Sequence, residues 1–76
     1  MTLVQLEYIV ALDRFRHFAL AAANCYVTQP TLSMQIHKLE QELGFKIFDR
    51  SKQPVMPTEA GIDIIEHAKK ILVERD

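Results

Sequence analysis

The sequence predicts an all-α domain in which a short helix, a tight turn and a longer helix are followed by a small β-hairpin and a last long helix. Three observations predict it. Ala21-Ala22 precede Val27-Thr28-Gln29-Pro30, so two small residues let a short helix cross closely over the next. Leu32, Ile36, Leu39 and Leu43 recur at the three-four spacing, which gives that next helix one apolar side and leaves the other polar. Pro54 and Pro57 flank Val55-Met56 and allow only a small edge hairpin there. That order is a winged helix-turn-helix with a β-hairpin wing and a long C-terminal linker helix. Residues 1–57 form the winged unit, and 58–76 begin a linker or dimerisation helix.

Each element has a local cause. Thr2-Leu3-Val4-Gln5 is a capping box, and a first helix follows to about Arg14. Leu3, Leu6, Ile9 and Val10 form one stripe on it. Val4, Tyr8 and Ala11 form a second on the opposite side, so both sides should be covered. A second helix runs from Phe18 to Cys25, with Phe18, Ala21, Ala22 and Cys25 on one face. Tyr26-Val27 form the turn, Thr28 caps the third helix, and Pro30 is tolerated in its first turn. Gly44 ends that helix as a left-handed cap. Phe45 to Asp49 and Val55-Met56 are the expected strands, and Arg50-Ser51-Lys52-Gln53 the hairpin tip. Thr58 caps a last helix, with Glu59 near its positive end. Ile64, Ile65, Ala68, Ile71 and Leu72 give it a wide apolar stripe, extended by Ile62 and Val73, and Glu66 and Lys70 pair on its wet side. No Gly or Pro follows this helix, so it is expected to continue as the linker of a longer protein.

With 76 residues the chain is a single small domain. Hydrophobic residues make up 49%, more than a core of this size needs, which suggests apolar surface reserved for a partner. The single cysteine has no partner for an internal disulfide, and no zinc ligand set is present. Together with the lack of a signal peptide or a membrane-length apolar run, this points to the cytoplasm and away from membranes. A net charge of −1 counts against nucleic-acid binding unless positive charge gathers on one face or two copies act together.

The third helix carries the functional signal. At about 100° per residue, its core stripe lies opposite Pro30, Met34, His37, Lys38 and Gln41, with Thr31 and Ser33 flanking and Gln29 projecting from the first turn. A helix held with such a face outward suits a DNA major groove. Gln29 can bond adenine with both amide atoms, and Ser33 can pair with a donor or an acceptor. Pro30, the Thr31 methyl and Met34 offer apolar contact to a thymine methyl. Lys38 suits a phosphate and His37 either purpose, while Thr28 and the amides at the helix start can hold a phosphate. In the wing, Arg50, Lys52 and Gln53 are expected on the backbone or in an adjacent minor groove. Glu40 points back towards the core stripe and is expected to be structural.

The chain resembles the N-terminal domain of LysR-type transcriptional regulators. The resemblance runs through Leu3, Gln5-Leu6-Glu7-Tyr8, Phe18, Ala21-Ala22, Val27-Thr28-Gln29-Pro30-Thr31-Leu32-Ser33, Gln35-Ile36, Leu39-Glu40, Leu43-Gly44, Phe48-Asp49-Arg50 and Thr58-Glu59-Ala60-Gly61. Within that family, Leu6 to Leu12, Arg16-His17-Phe18 and Gln29 to Ser33 are most similar to its peroxide-responsive activators. The resemblance implies a dimer formed through the last helix, a tetramer being open to the full-length protein. It also implies interrupted palindromic operators in double-stranded DNA. A small-molecule or redox effector would bind a further C-terminal domain. By family pattern Gln29, Pro30, Ser33 and position 34 face bases and the wing faces backbone. Tyr8, Ile64, Ile65, Ala68, Ile71 and Leu72 are the expected dimerisation residues. The chain departs from the pattern with Met34 for a polar residue, Gln53 for a wing arginine and His17 for a serine cap.

The same residues admit other readings. A winged-helix protein-interaction module without direct DNA contacts has the same fold. Cys25 sits at a core position with no nearby cation to activate it, so it reads as a small hydrophobe. His17, His37 and His67 lack metal-ligand spacing. No nucleophile arrangement or glycine-rich phosphate loop is present, so neither enzyme activity nor a cofactor is expected.

Overall fold

The computed structural model describes residues 1–75, with side chains described to Val73. In order it contains α1 (Leu3–Phe15), α2 (Phe18–Asn24), α3 (Gln29–Leu43), β1 (Phe48–Asp49), β2 (Met56–Pro57) and α4 (Glu59–Arg75). Asp76, the last position expected in the final helix, lies outside the described residues.

The capping box at the start of α1 forms: the Gln5 amide donates to Thr2 Oγ1 at 3.1 Å, and Gln5 Oε1 accepts from the Thr2 amide at 3.0 Å. Gln5 Nε2 also donates to Gln35 Oε1 at 3.3 Å, joining α1 to α3. Arg16 ends α1 in the left-handed region with φ 56°. The two-stripe expectation needs correction at its N-terminal end. Leu3 and Val4 are exposed, while Leu6, Ile9, Leu12, Tyr8 and Ala11 are buried.

His17 caps α2, its Nδ1 accepting from the Leu20 amide at 3.4 Å. The helix stops one residue earlier than expected because Tyr26 takes φ 58°, which no helix continues through. Cys25 therefore sits at the cap, half-buried rather than in the core. Ala21 and Ala22 are buried where α2 meets α1 and α3. Thr28 caps α3 and Gly44, at φ 82°, closes it. Leu32, Ile36 and Leu39 are fully buried along its inner side.

The wing strands are two residues each, antiparallel, with Phe48 opposite Pro57 and Asp49 opposite Met56. The expected strand from Phe45 is shorter because the backbone before Phe48 bonds elsewhere. The Ile47 amide donates to Glu40 Oε2 at 2.8 Å, and the Lys46 carbonyl accepts from Thr58 Oγ1 at 2.6 Å. Val55 is likewise withdrawn from the ladder, its amide donating to the Arg16 carbonyl at 3.2 Å.

Thr58 Oγ1 accepts from the Gly61 amide at 2.9 Å and starts α4. The boundary expected between residues 57 and 58 falls inside one continuous core. Ile65 and Ala68 of α4 are buried in the same cluster as Ile9 and Leu12 of α1. Asp13 accepts from Arg16 at 3.0 Å and forms an ion pair with Lys69 at 3.4 Å. Lys69, not Lys70, is the observed partner of Glu66, at 3.7 Å.

Candidate nucleic-acid interface

The outer side of α3 is open. Gln29, Pro30, His37, Lys38 and Gln41 are exposed, Met34 is 50% exposed, and Thr31 and Ser33 are half-buried at the flanks. Leu32, Ile36 and Leu39 lock the opposite side into the core, and the Gln5–Gln35 bond fixes the rotation of α3 relative to α1. Rigidity of this kind lets a helix present side chains in a defined pattern.

Two residues expected at the DNA backbone also bond within the protomer. Thr28 Oγ1 accepts from the Thr31 amide at 3.4 Å and donates to Thr31 Oγ1 at 2.9 Å. Its hydroxyl caps the helix while the residue stays exposed. Pro30 has no amide proton, so Gln29 carries the remaining amide of the first three helical residues. Arg50 is held by more groups. Its Nη1 donates to Ser33 Oγ at 3.2 Å, its Nη2 pairs with Glu40 Oε1 at 3.4 Å, and its guanidinium lies 5.1 Å from the Phe18 ring centroid. Glu40 is only 3% exposed, so its charge requires a cation. Arg50 supplies that cation while its side chain stays 35% exposed.

Glu40 is structural, as expected, and does more than expected. One carboxylate oxygen accepts from the Ile47 and Phe48 amides at 2.8 and 3.3 Å, and the other meets Arg50. A single side chain thereby ties α3 to the start of the wing. The signal in the sequence was a glutamate four residues after Ile36 and beside Leu39, a spacing that sends a charge towards the core. The Gln5–Gln35 bridge and the contact of Arg16 Nη1 with Met56 Sδ at 3.1 Å had no such signal.

The wing tip carries Lys52 and Gln53 in exposed positions. Asp49 accepts from the Ser51 hydroxyl and amide, and the hydroxyl bond above all holds its carboxyl below the ordinary carboxylate value. Burial, then the nearby Glu7 carboxylate, pushes the Cys25 thiol up from its usual value. Among the described residues no group of three or more His, Cys, Asp or Glu is placed to hold a metal, and no helix is long and apolar enough to cross a membrane.

The expected dimerisation residues divide into two sets. Tyr8, Ile65 and Ala68 are packed in the protomer's own core and have almost no surface to offer, Tyr8 being 7% exposed. Ile71 is exposed, and Ile64 and Leu72 are half-buried. A groove between α1 and α4 is lined by Val10, Asp13, Arg14, Lys69, Leu72 and Val73.

Residues 3–62 match the family model of the bacterial regulatory helix-turn-helix proteins of the lysR family. The chain belongs to the LysR family. A hydrogen peroxide-inducible genes activator of Pectobacterium carotovorum subsp. carotovorum is 49% identical over 74 residues, 97% of this chain and 24% of that protein. Among solved structures, a full-length OxyR from Pseudomonas aeruginosa has 49% identity and a TM-score of 0.94, covering 99% of this chain and 25% of that one. The DNA-binding domain of BenM, solved in complex with catB site 1 DNA, has 38% identity and a TM-score of 0.96, covering 100% of this chain and 82% of that one. This LysR-family chain thus spans about a quarter of the length of the hydrogen peroxide-inducible genes activators it matches.

Proposed function

We propose that this domain binds double-stranded operator DNA with sequence preference, as part of a transcriptional regulator acting in the bacterial cytoplasm. Helix α3 enters the major groove, where Gln29, Pro30, Thr31, Ser33 and Met34 meet base edges. His37, Lys38, Lys52 and Gln53 lie on the backbone or minor-groove side. The observation that carries this reading is the open polar side of α3, anchored by Leu32, Ile36 and Leu39 and joined to the wing through Glu40. The BenM domain, so close in fold, is itself solved on DNA. The domain acts without catalysis or cofactor.

Two copies bind together, through the outer side of α4 at Ile64, Ile71 and Leu72. Pairing also answers the net charge of −1, because two domains double the phosphate contacts on one duplex. The effector is sensed by a part of the protein beyond this chain. A peroxide signal fits the names of the relatives, and the raised Cys25 thiol supports a sensing residue elsewhere.

Selection from a random duplex pool, followed by salt titration on the selected sequence, tests the proposal. A reproducible preferred sequence whose affinity falls steeply with salt is the expected result. No duplex binding at any salt refutes it and leaves the protein-interaction module.

A further inference from the structure

The geometry points to Arg50 as the residue that sets the hydrogen-bond polarity of Ser33. With the guanidinium donating to its Oγ, Ser33 meets the groove as a donor and selects a base edge that accepts. This inference rests on the reading that α3 lies in the major groove.

A serine hydroxyl has one proton and two lone pairs, so an isolated serine suits either kind of partner. Here Arg50 Nη1 fills one lone pair at 3.2 Å. A guanidinium keeps its protons at any ordinary pH, so this neighbour never becomes an acceptor. Its charge repels a second N–H approaching the same oxygen and strengthens the hydroxyl as a donor. The fork is fixed by the Glu40 carboxylate at 3.4 Å and by the Phe18 ring at 5.1 Å. Glu40 is in turn held by the Ile47 and Phe48 amides. In the major groove, guanine N7 and O6, adenine N7 and thymine O4 accept, whereas cytosine N4 and adenine N6 donate. Ser33 therefore favours the first group. Arg50 is a positioning residue that acts through Ser33, not a contact to DNA.

The test uses the 76-residue chain and duplexes selected from a random pool by the wild type and by Ser33→Ala. The base pair at which only the wild type shows a preference is the one the hydroxyl reads. An acceptor edge is expected there. Deleting that acceptor with a deaza or deoxy base analogue should lower wild-type affinity about fivefold and leave Ser33→Ala unchanged. The double variant Glu40→Gln/Arg50→Gln removes both charges and keeps an acceptor for the Ile47 and Phe48 amides. Glu40→Gln/Arg50→Met removes the donor at position 50 altogether, and it decides the matter if the first double variant fails to fold. In either, preference for an acceptor over a donor edge should narrow about threefold, with the salt slope of the wild type retained. A donor edge at the selected pair, or unchanged discrimination in these variants, overturns the proposal. So does a salt slope shallower by about one phosphate in the double variant, which would make Arg50 a backbone contact. Equal loss on every duplex with Ser33→Ala is a separate failure: it removes base reading by this residue, and the inference falls with it.

Discussion

A β-carbon on Gly61 would stand 2.0 Å from the carbonyl oxygen of Ile47. No non-bonded carbon and oxygen tolerate that separation, so the first turn of α4 lies against the wing backbone only because position 61 has no side chain. The same Ile47 carbonyl accepts from the Thr58 amide at 2.9 Å, which draws the two segments together.

Gly61→Ala should therefore destabilise the domain, although alanine is the better helix former. The propensity gain is at most about 1 kcal/mol, while overpacking costs about 1–3 kcal/mol, at the upper end where backbone is met. A urea titration followed by circular dichroism should show a midpoint well below that of the wild type. An unchanged or raised midpoint would mean that α4 shifts away without loss.

Glu40→Ala leaves two buried amides and a cation without their acceptor. A loss of about 3 kcal/mol is expected, at the lower end for buried pairs because Arg50 remains partly in water. Glu40→Gln retains an acceptor and should cost less. Equal losses in the two variants would show that the charge, not the hydrogen bonding, holds the wing to α3.

Gln29→Ala should cost about 1–3 kcal/mol on the selected operator and much less on random duplex. Lys38→Ala and Lys52→Ala should weaken all sequences alike and flatten the salt slope by about one phosphate each. Fluorescence anisotropy across a salt series measures both. A shift in sequence preference from either lysine variant would contradict its phosphate role.

Ile71→Asp and Leu72→Asp should convert a dimer to folded monomers, because a carboxylate would enter the pairing seam. Ile65→Asp should unfold the chain instead, since Ile65 is buried inside each copy. Light scattering with circular dichroism separates the two outcomes, and unchanged mass in the first pair would remove those residues from the interface.

Cys25 should alkylate slowly. A raised thiol value means less thiolate at any given pH below it, and the thiolate is the form that reacts. The iodoacetamide rate should climb with pH through a midpoint above that of free cysteine. A midpoint below the free value would contradict burial as the dominant influence.

Most of the architecture was legible because its signals are local. The Thr2–Gln5 box, the Thr28 cap, Pro30 in a first turn and Gly44 as terminator each depend on neighbours within a few residues, and each formed. The outer side of α3 followed from spacing in the same way. What the sequence hid was long-range. Arg50 resembled a free wing cation until Glu40 and Ser33 closed on it across 10 and 17 residues. The strands shortened because Glu40, Thr58 and Arg16 claimed the backbone groups of residues 46, 47 and 55. Tyr8, Ile65 and Ala68 looked like interface because periodicity marks an apolar side without saying whether the same copy or another covers it.

Arg16, Arg50 and Lys69 spend their charge on carboxylates of their own chain. One copy then relies on the other cations, Lys38 and Lys52 among them, for displacing counterions, and alone it would hold DNA less tightly than a pair. With two copies needed, occupancy climbs roughly as the square of protein concentration at low dose, so a modest change in cellular supply would throw the operator from mostly empty to mostly filled.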